Sequence, residues 1–464
     1  MTNNTAFADL MAFQRQTEAL SLVAERLGWD QETMMPRGAA DQRGEEMAAM
    51  EGVLHARRTD PRIANWLEAA EAPDGAGAAQ LRLIRRSYDR TTKVPADLAE
   101  ALARLTSVAQ GIWAEARARD DVAAFLPTLS EVLTLKREEA AALATGGDLY
   151  DALIDDYEPG ATAESLGAMF NRMRPRLVAL REAVLAHPAP APLVGHFSTD
   201  SQLRMSRDLA TAFGYDWDRG RLDLAVHPFS SGAGIDVRIT TRVAETDPFN
   251  CFYSTIHEVG HACYELGIDP DYRLTPLGGG VSMGVHESQS RIYENQLGRS
   301  RAFTGWMFAQ MQQRFGEFGI DHADDFHAAV NRVEPGYIRT EADEVQYNLH
   351  IMMRFDLERA LIKGDLAVGE AGFLGLAEQV GADGLAGGLE GELEVDDAAQ
   401  LAQEPRVDLR EVEDLLLGQA GEHRVADEER AFRIRAGEAR ADLGEVGEGR
   451  VAELAAATEA PGAD

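Results

Sequence analysis

The sequence predicts a mostly α-helical protein carrying one small antiparallel β-sheet. Apolar residues recur at helical spacing from residue 8 to about 185, as in Phe7-Leu10-Met11-Phe13, Leu20-Val23-Leu27 and Leu98-Leu102-Leu105. Period-two alternation is confined to two short segments, Leu222–His227 and Ile235–Thr240, separated by a Ser/Gly-rich stretch that reads as the turn of a hairpin. Between the helices, Pro36, Pro95, Gly146-Gly147 and Pro159-Gly160 mark turns. The alternating prolines 188, 190 and 192 cannot lie inside a helix, so a lobe boundary is expected there. Asp247-Pro248-Phe249 offers the start of a further helix, and later ones are expected over 285–297, 302–315 and 342–361.

The chemistry is carried by the first of these later helices, which contains His257-Glu258-Val259-Gly260-His261. Residues four apart share a helix face, so the two imidazoles can reach one zinc ion. Glu258 lies beside the first of them, where a carboxylate can act as general base on a water. Chance would give about 0.03 such motifs in a chain with eleven histidines. A third protein ligand is needed, and Glu287 is the best candidate because it sits in a separate predicted helix within a polar cluster. Glu265 is weaker: four residues beyond His261 on the same helix, it would crowd the two rings. Spacers used by some other zinc peptidases land on Gly280 or Val281, whose side chains cannot bind metal. The chemistry these residues imply is metal-assisted hydrolysis of a peptide bond. Removing residues from a C-terminus would also need a cation for the free carboxylate, and Arg339 and Arg238 are candidates because guanidinium binds carboxylates bidentately. His227, His286 and His350 read equally as packed, hydrogen-bonded histidines.

The totals exclude other classes. A net charge of −33 opposes nucleic-acid binding. No stretch reads as a membrane span or a secretory leader, so the expectation is a cytoplasmic protein with no membrane partner. Cys251 and Cys263, if on one helix, are separated by about 18 Å of rise, far beyond disulfide reach.

Composition breaks at Gly369. From there to Asp464 the chain has no Ser, Asn, Lys, Met, Tyr, Trp or Cys, and its 8 Arg against 24 acids carry a net −16. The expected organisation is therefore an N-terminal helical lobe (1–190), a catalytic zinc lobe (191–368) and an atypical acidic tail (369–464). A reading-frame shift in a GC-rich gene is the expected origin of the tail, with a solvated, partly helical acidic extension as the alternative, and the three lysines of the whole chain fit that base composition.

Taken together, these motifs resemble the carboxypeptidase Taq family of zinc-dependent carboxypeptidases. The resemblance covers about residues 8–368. It runs through Trp29-Asp30-Gln31-Glu32-Thr33-Met34-Met35-Pro36, His227-Pro228-Phe229 and Asp236-Val237-Arg238-Ile239-Thr240. It continues through the H-E-x-x-H segment, His286-Glu287-Ser288-Gln289, and Ile338-Arg339 with Ala342-Asp343. It implies a two-lobed helical metallopeptidase with a long groove and the small sheet beside the metal. It further implies a cytosolic homodimer with broad specificity for the C-terminal residues of peptide substrates, and zinc or cobalt as the metal. Carried over, His257, His261 and Glu287 are ligands and Glu258 is the base, while Arg238, Arg339 and His227 occupy positions linked to substrate binding. The family's later G-x-x-Q-D-x-H-W and G-Y-F-P-T-Y motifs are absent. These imply a His and a Tyr near the reacting carbonyl, and losing one such donor commonly costs about 10²–10³ in rate. A catalytically impaired member, or a related endopeptidase or dipeptide-releasing enzyme, is the alternative.

Overall fold

The computed structural model describes residues 3–119, 121–336 and 342–369. Its helices are α1 (Asn3–Thr33), α2 (Ala40–Arg58), α3 (Pro61–Ala69), α4 (Gly75–Thr91), α5 (Ala96–Ala118), α6 (Val122–Leu143), α7 (Leu149–Tyr157) and α8 (Ala163–Leu185). After α9 (Thr199–Ala212) come strands β1 (Leu222–Leu224), β2 (Ser230–Ser231) and β3 (Arg238–Thr241). Then follow α10 (Phe249–Leu266), α11 (Met283–Arg291), α12 (Arg301–Phe315), α13 (Ala323–Val330) and α14 (Glu344–Lys363). The chain is mostly helical, as the apolar spacing predicts.

Local chemistry explains where many helices begin. Asp60, Asp74, Asp121 and Asp148 each accept a bond from a backbone N–H of the first turn they precede. Thr162 and Ser165 form a reciprocal capping box at the start of α8. Ser282, Ser300 and Asp343 do the same work for α11, α12 and α14. The sequence pattern leaves out α9 and the short α13.

The described chain packs as two units, each discontinuous in sequence. One comprises 3–119, 121–188, 272–277, 333–336 and 342–369, so α14 joins α1–α8. Its interior includes Trp113, Phe125, Val132 and Leu133 packed with Leu361 and Ile362 of α14. Leu10 and Phe13 of α1 meet Ile63 and Ile84 in a second cluster. The Trp29–Pro36 segment ties the end of α1 to its neighbours. Arg43 of α2 reaches Asp30 at 2.5 Å, Ser107 donates to Gln31 at 2.6 Å, and Gln110 donates to Glu32 at 2.7 Å.

The other unit comprises 189–271 and 278–332 and is built around α10. Phe252 and Ile256 on one side of α10 enter an aromatic core with Phe197, Phe318 and Phe326. Val259 and Ala262 on another side pack on Val237 and Ile239 of the β3 segment. Thr241 of β3 donates to the carbonyl of Cys251 at 2.9 Å, fixing the sheet to the helix. Cys251 and Cys263 are free thiols on this one helix, as their spacing requires.

The expected antiparallel hairpin does not form. β1 runs parallel to β3, with Leu222 opposite Ile239, and β2 pairs antiparallel on the other side of β3, with Ser230 opposite Ile239. Residues 225–237 are about a dozen residues, far longer than a tight turn and enough for a crossover. Alternation reports that a segment is extended; it does not report the direction of its partner.

Candidate metal centre

His257 and His261 project from one face of α10, as their spacing predicts, and Glu287 meets them from α11. His257 Nε2 and His261 Nε2 are 3.2 Å apart, and Glu287 Oε2 lies 3.5 Å from the first and 3.2 Å from the second. Ligands about 2.1 Å from a tetrahedral zinc ion sit about 3.4 Å from each other. The three atoms are thus spaced like three corners of one coordination tetrahedron, and two imidazoles with a carboxylate are the donor set a catalytic zinc takes. Among the described residues this is the group of His, Cys, Asp and Glu side chains whose donor atoms converge tightly enough to hold a metal ion.

The close approach of the two helices depends on Gly260. A Cβ there would lie 2.6 Å from Ser290 Cα and 3.1 Å from the Gln289 carbonyl oxygen, both backbone atoms of α11. Any larger residue would push Glu287 away from the imidazoles.

Each donor is held from behind. Glu287 takes a bond on Oε1 from Arg291 Nε at 3.0 Å and another on Oε2 from Ser290 Oγ, also at 3.0 Å. His257 Nδ1 faces Glu294 Oε2 at 2.9 Å, and Arg299 pairs with the other oxygen of Glu294 at 3.1 Å. Glu294 sits in a π-helical turn, Ile292–Leu297, that continues α11, with Gly298 N bonded to Tyr293 O five residues back. His261 Nδ1 lies 2.5 Å from His286 Nδ1, and His286 Nε2 lies 3.0 Å from Glu265 Oε1. Glu294 gives no sign in the sequence beyond standing seven residues after Glu287, two helical turns along.

Electrostatics follow from this packing. Burial opposes a charged His257, but Glu287, with Glu294 and Glu258, outweighs it and holds its pKa well above the ordinary value. Burial dominates at His261 and depresses its pKa to about 4. Glu287 is held well below the usual carboxylate range, because His257 and His261 overcome the effect of its burial. His257, Arg299 and Arg291 likewise overcome burial at Glu294 and pull it to about 2. Glu258 is the exception: burial raises it to about 7, against the pull of His257. A pocket in which negative charge and imidazole lone pairs converge takes up a proton when no cation is present, and can hold a divalent cation in its place.

The remaining predicted residues are placed differently. Arg238 opens β3 and is bonded in a two-pronged manner to Asp236, Nε at 2.8 Å and a terminal nitrogen at 2.9 Å. His227 is half-buried in the segment between β1 and β2. His350 of α14 faces the Gly336 carbonyl at 3.2 Å in the first unit. Arg339 and the tail from 370 onward lie outside the described residues.

A helical protein in which an H-E-x-x-H helix and a second helix bring two histidines and a glutamate together has the architecture of a metallopeptidase. The sequence profile described as "Carboxypeptidase Taq (M32) metallopeptidase" matches residues 9–372. The chain belongs to this family. It is 43% identical over 387 residues to "Thermostable carboxypeptidase 1" of Thermus thermophilus, covering 79% of this chain and 76% of that protein. It is 33% identical over 373 residues to "Thermostable carboxypeptidase 1" of Pyrococcus furiosus, covering 78% and 74%. The crystal structure of the M32 carboxypeptidase from Deinococcus radiodurans R1 superposes with a TM-score of 0.73 at 38% identity, covering 82% of this chain and 78% of that one. The family match ends at residue 372, beside the break in composition at Gly369.

Proposed function

We propose that this chain is a zinc-dependent carboxypeptidase that removes C-terminal residues from peptides with broad specificity. The observation that carries the reading is the convergence of His257 Nε2, His261 Nε2 and Glu287 Oε2 at 3.2–3.5 Å on a fold shared with carboxypeptidases. Those three residues hold the metal, zinc or cobalt. The bound ion supplies Lewis acidity toward water and the scissile carbonyl. Glu258 takes a proton from the attacking water and returns it to the departing amine. Its buried setting, which lifts its pKa to about 7 in the metal-free protein, favours the protonated carboxyl that forms once it has taken the water's proton. Glu294 holds His257 in one ring orientation, and Arg291 with Ser290 holds Glu287.

Arg238 and Arg339 bind the substrate's free carboxylate, and His227 lines the substrate site. Asp236 fixes the plane of the Arg238 guanidinium, so less side-chain freedom is lost when an anion binds it. Peptide pairs with free and amidated C-termini test the exopeptidase assignment. Cleavage confined to the free-carboxylate member is expected, and equal cleavage of both would convert the reading to an endopeptidase. The protein is further proposed to be a cytoplasmic homodimer. Among the described residues no helix is long and apolar enough to cross a membrane.

A second reading is favoured by the end of the family match at residue 372, beside the altered composition. In it the chain retains the metal centre but is catalytically impaired, because the family's later motifs are missing. Zinc at full stoichiometry with no detectable hydrolysis would select this reading over the first.

A further inference from the structure

We infer that His286 and Glu265 form a positioning relay for the proposed metal ligand His261, a His–His–Glu chain that fixes which nitrogen of His261 carries the proton. The inference rests on the metal-site reading above and deepens it.

The geometry is that of a proton-ordered chain. Glu265 Oε1 is 3.0 Å from His286 Nε2, and His286 Nδ1 is 2.5 Å from His261 Nδ1. As a carboxylate, Glu265 can only accept, so His286 Nε2 must carry a hydrogen. With His261 Nε2 given to the metal, its Nδ1 carries the hydrogen, and the facing His286 Nδ1 is the acceptor, an order in which the Glu265 carboxylate takes the hydrogen on His286 Nε2. That leaves the lone pair of His261 on Nε2, the nitrogen aimed at His257 Nε2 and Glu287 Oε2. The reverse order would put a proton on His261 Nε2 and leave the centre one ligand short.

Two further observations support a built arrangement. Glu265 is 2% exposed, and its second oxygen is buried with no hydrogen-bond partner among the described residues, so its compensation comes through Oε1 alone. Gly280, in the loop before α11, is seated against the pair. A Cβ there would fall 2.6 Å from His286 Cδ2 and 3.1 Å from Glu265 Oε1, so a glycine lets the loop close on the pair where a side chain would displace it. The Tyr264 ring closes another side, with its centroid 4.8 Å from that of His286. The two ligands on α10 are thereby oriented by different devices: His257 by a carboxylate directly, His261 by a carboxylate acting through a second imidazole.

The test measures zinc affinity of the full chain by competition with a chromophoric chelator, with circular dichroism to verify folding. Outer partners of this kind are worth about 10–100-fold in metal affinity. His286→Leu and Glu265→Met are expected to lose that much, because neither leaves the chain of acceptors intact. His286→Gln is expected to recover most of the loss, since one amide can accept from His261 and donate to Glu265. Wild-type affinity in either folded apolar variant would overturn the relay, as would a Gln variant no better than Leu. Failure of the wild-type chain to bind zinc at all would instead remove the metal-site reading on which the relay rests.

Discussion

Glu258 is where the proposed chemistry and the physics of burial meet. The residue is 6% exposed, and burial pushes its carboxyl up to about 7 in the metal-free protein, against 4.5 when solvated. Between those values the folded state holds a proton that the unfolded state has released, so this group lowers stability as pH rises from 4.5 to about 7. Glu258→Gln should therefore stabilise the metal-free protein at pH 8 by up to about 3 kcal/mol, and by little at pH 4. Denaturant unfolding at the two pH values checks this, and an equal effect at both would contradict it. In the loaded protein the same substitution should lower peptide hydrolysis by about 10²–10⁴-fold while zinc binding persists. Glu294 has the opposite sign: its pKa, drawn down to about 2, gives stability that is present above 4.5 and lost as pH falls toward 2. The sequence makes His257, Glu258 and His261 legible because three residues at fixed spacing on one helix need no tertiary knowledge. Glu287 is legible less directly, through the requirement for a third ligand. Glu294, His286 and Glu265 act as outer partners by virtue of distances across α10 and α11, which no local pattern records.

The decisive elements are α10 and α11, and the tightest constraint between them is Gly260. Gly260→Ala places a methyl against backbone atoms of Ser290 and Gln289, which cannot swing aside as a side chain would. We expect a loss of about 1–3 kcal/mol in thermal or denaturant unfolding. Zinc affinity should fall together with stability, because Glu287 moves away from both imidazoles. Unchanged affinity and stability would show that the helices are not held at this distance. Helical spacing and cap residues reveal most helices, including the Asp247-Pro248-Phe249 start of α10. What stays hidden is anything set by the third dimension. The π turn carrying Glu294 has no signature in apolar spacing, and the pairing of β1 with β3 depends on how residues 225–237 cross rather than on either strand's alternation.

At the scale of the molecule, the chain is a member of a carboxypeptidase family up to residue 372 and compositionally foreign beyond it. Replacing residues 370–464 with the corresponding segment of a family relative should raise peptide hydrolysis by about 10²–10³-fold, the worth of one donor at the reacting carbonyl. Zinc affinity should not change. An unaltered rate would show that the residues up to 369 supply all the catalytic groups. Resequencing the gene is the direct check on the reading-frame account, which requires a disruption near codon 369.

The most direct test of the central claim counts zinc atoms per chain in the wild-type protein and in His261→Ala and Glu287→Ala. The arrangement of two imidazoles and one carboxylate predicts one zinc per wild-type chain, and a weakened site from which dialysis removes the metal in both variants. A wild-type chain without zinc, or variants that retain it at full stoichiometry, would contradict the metal centre proposed for His257, His261 and Glu287.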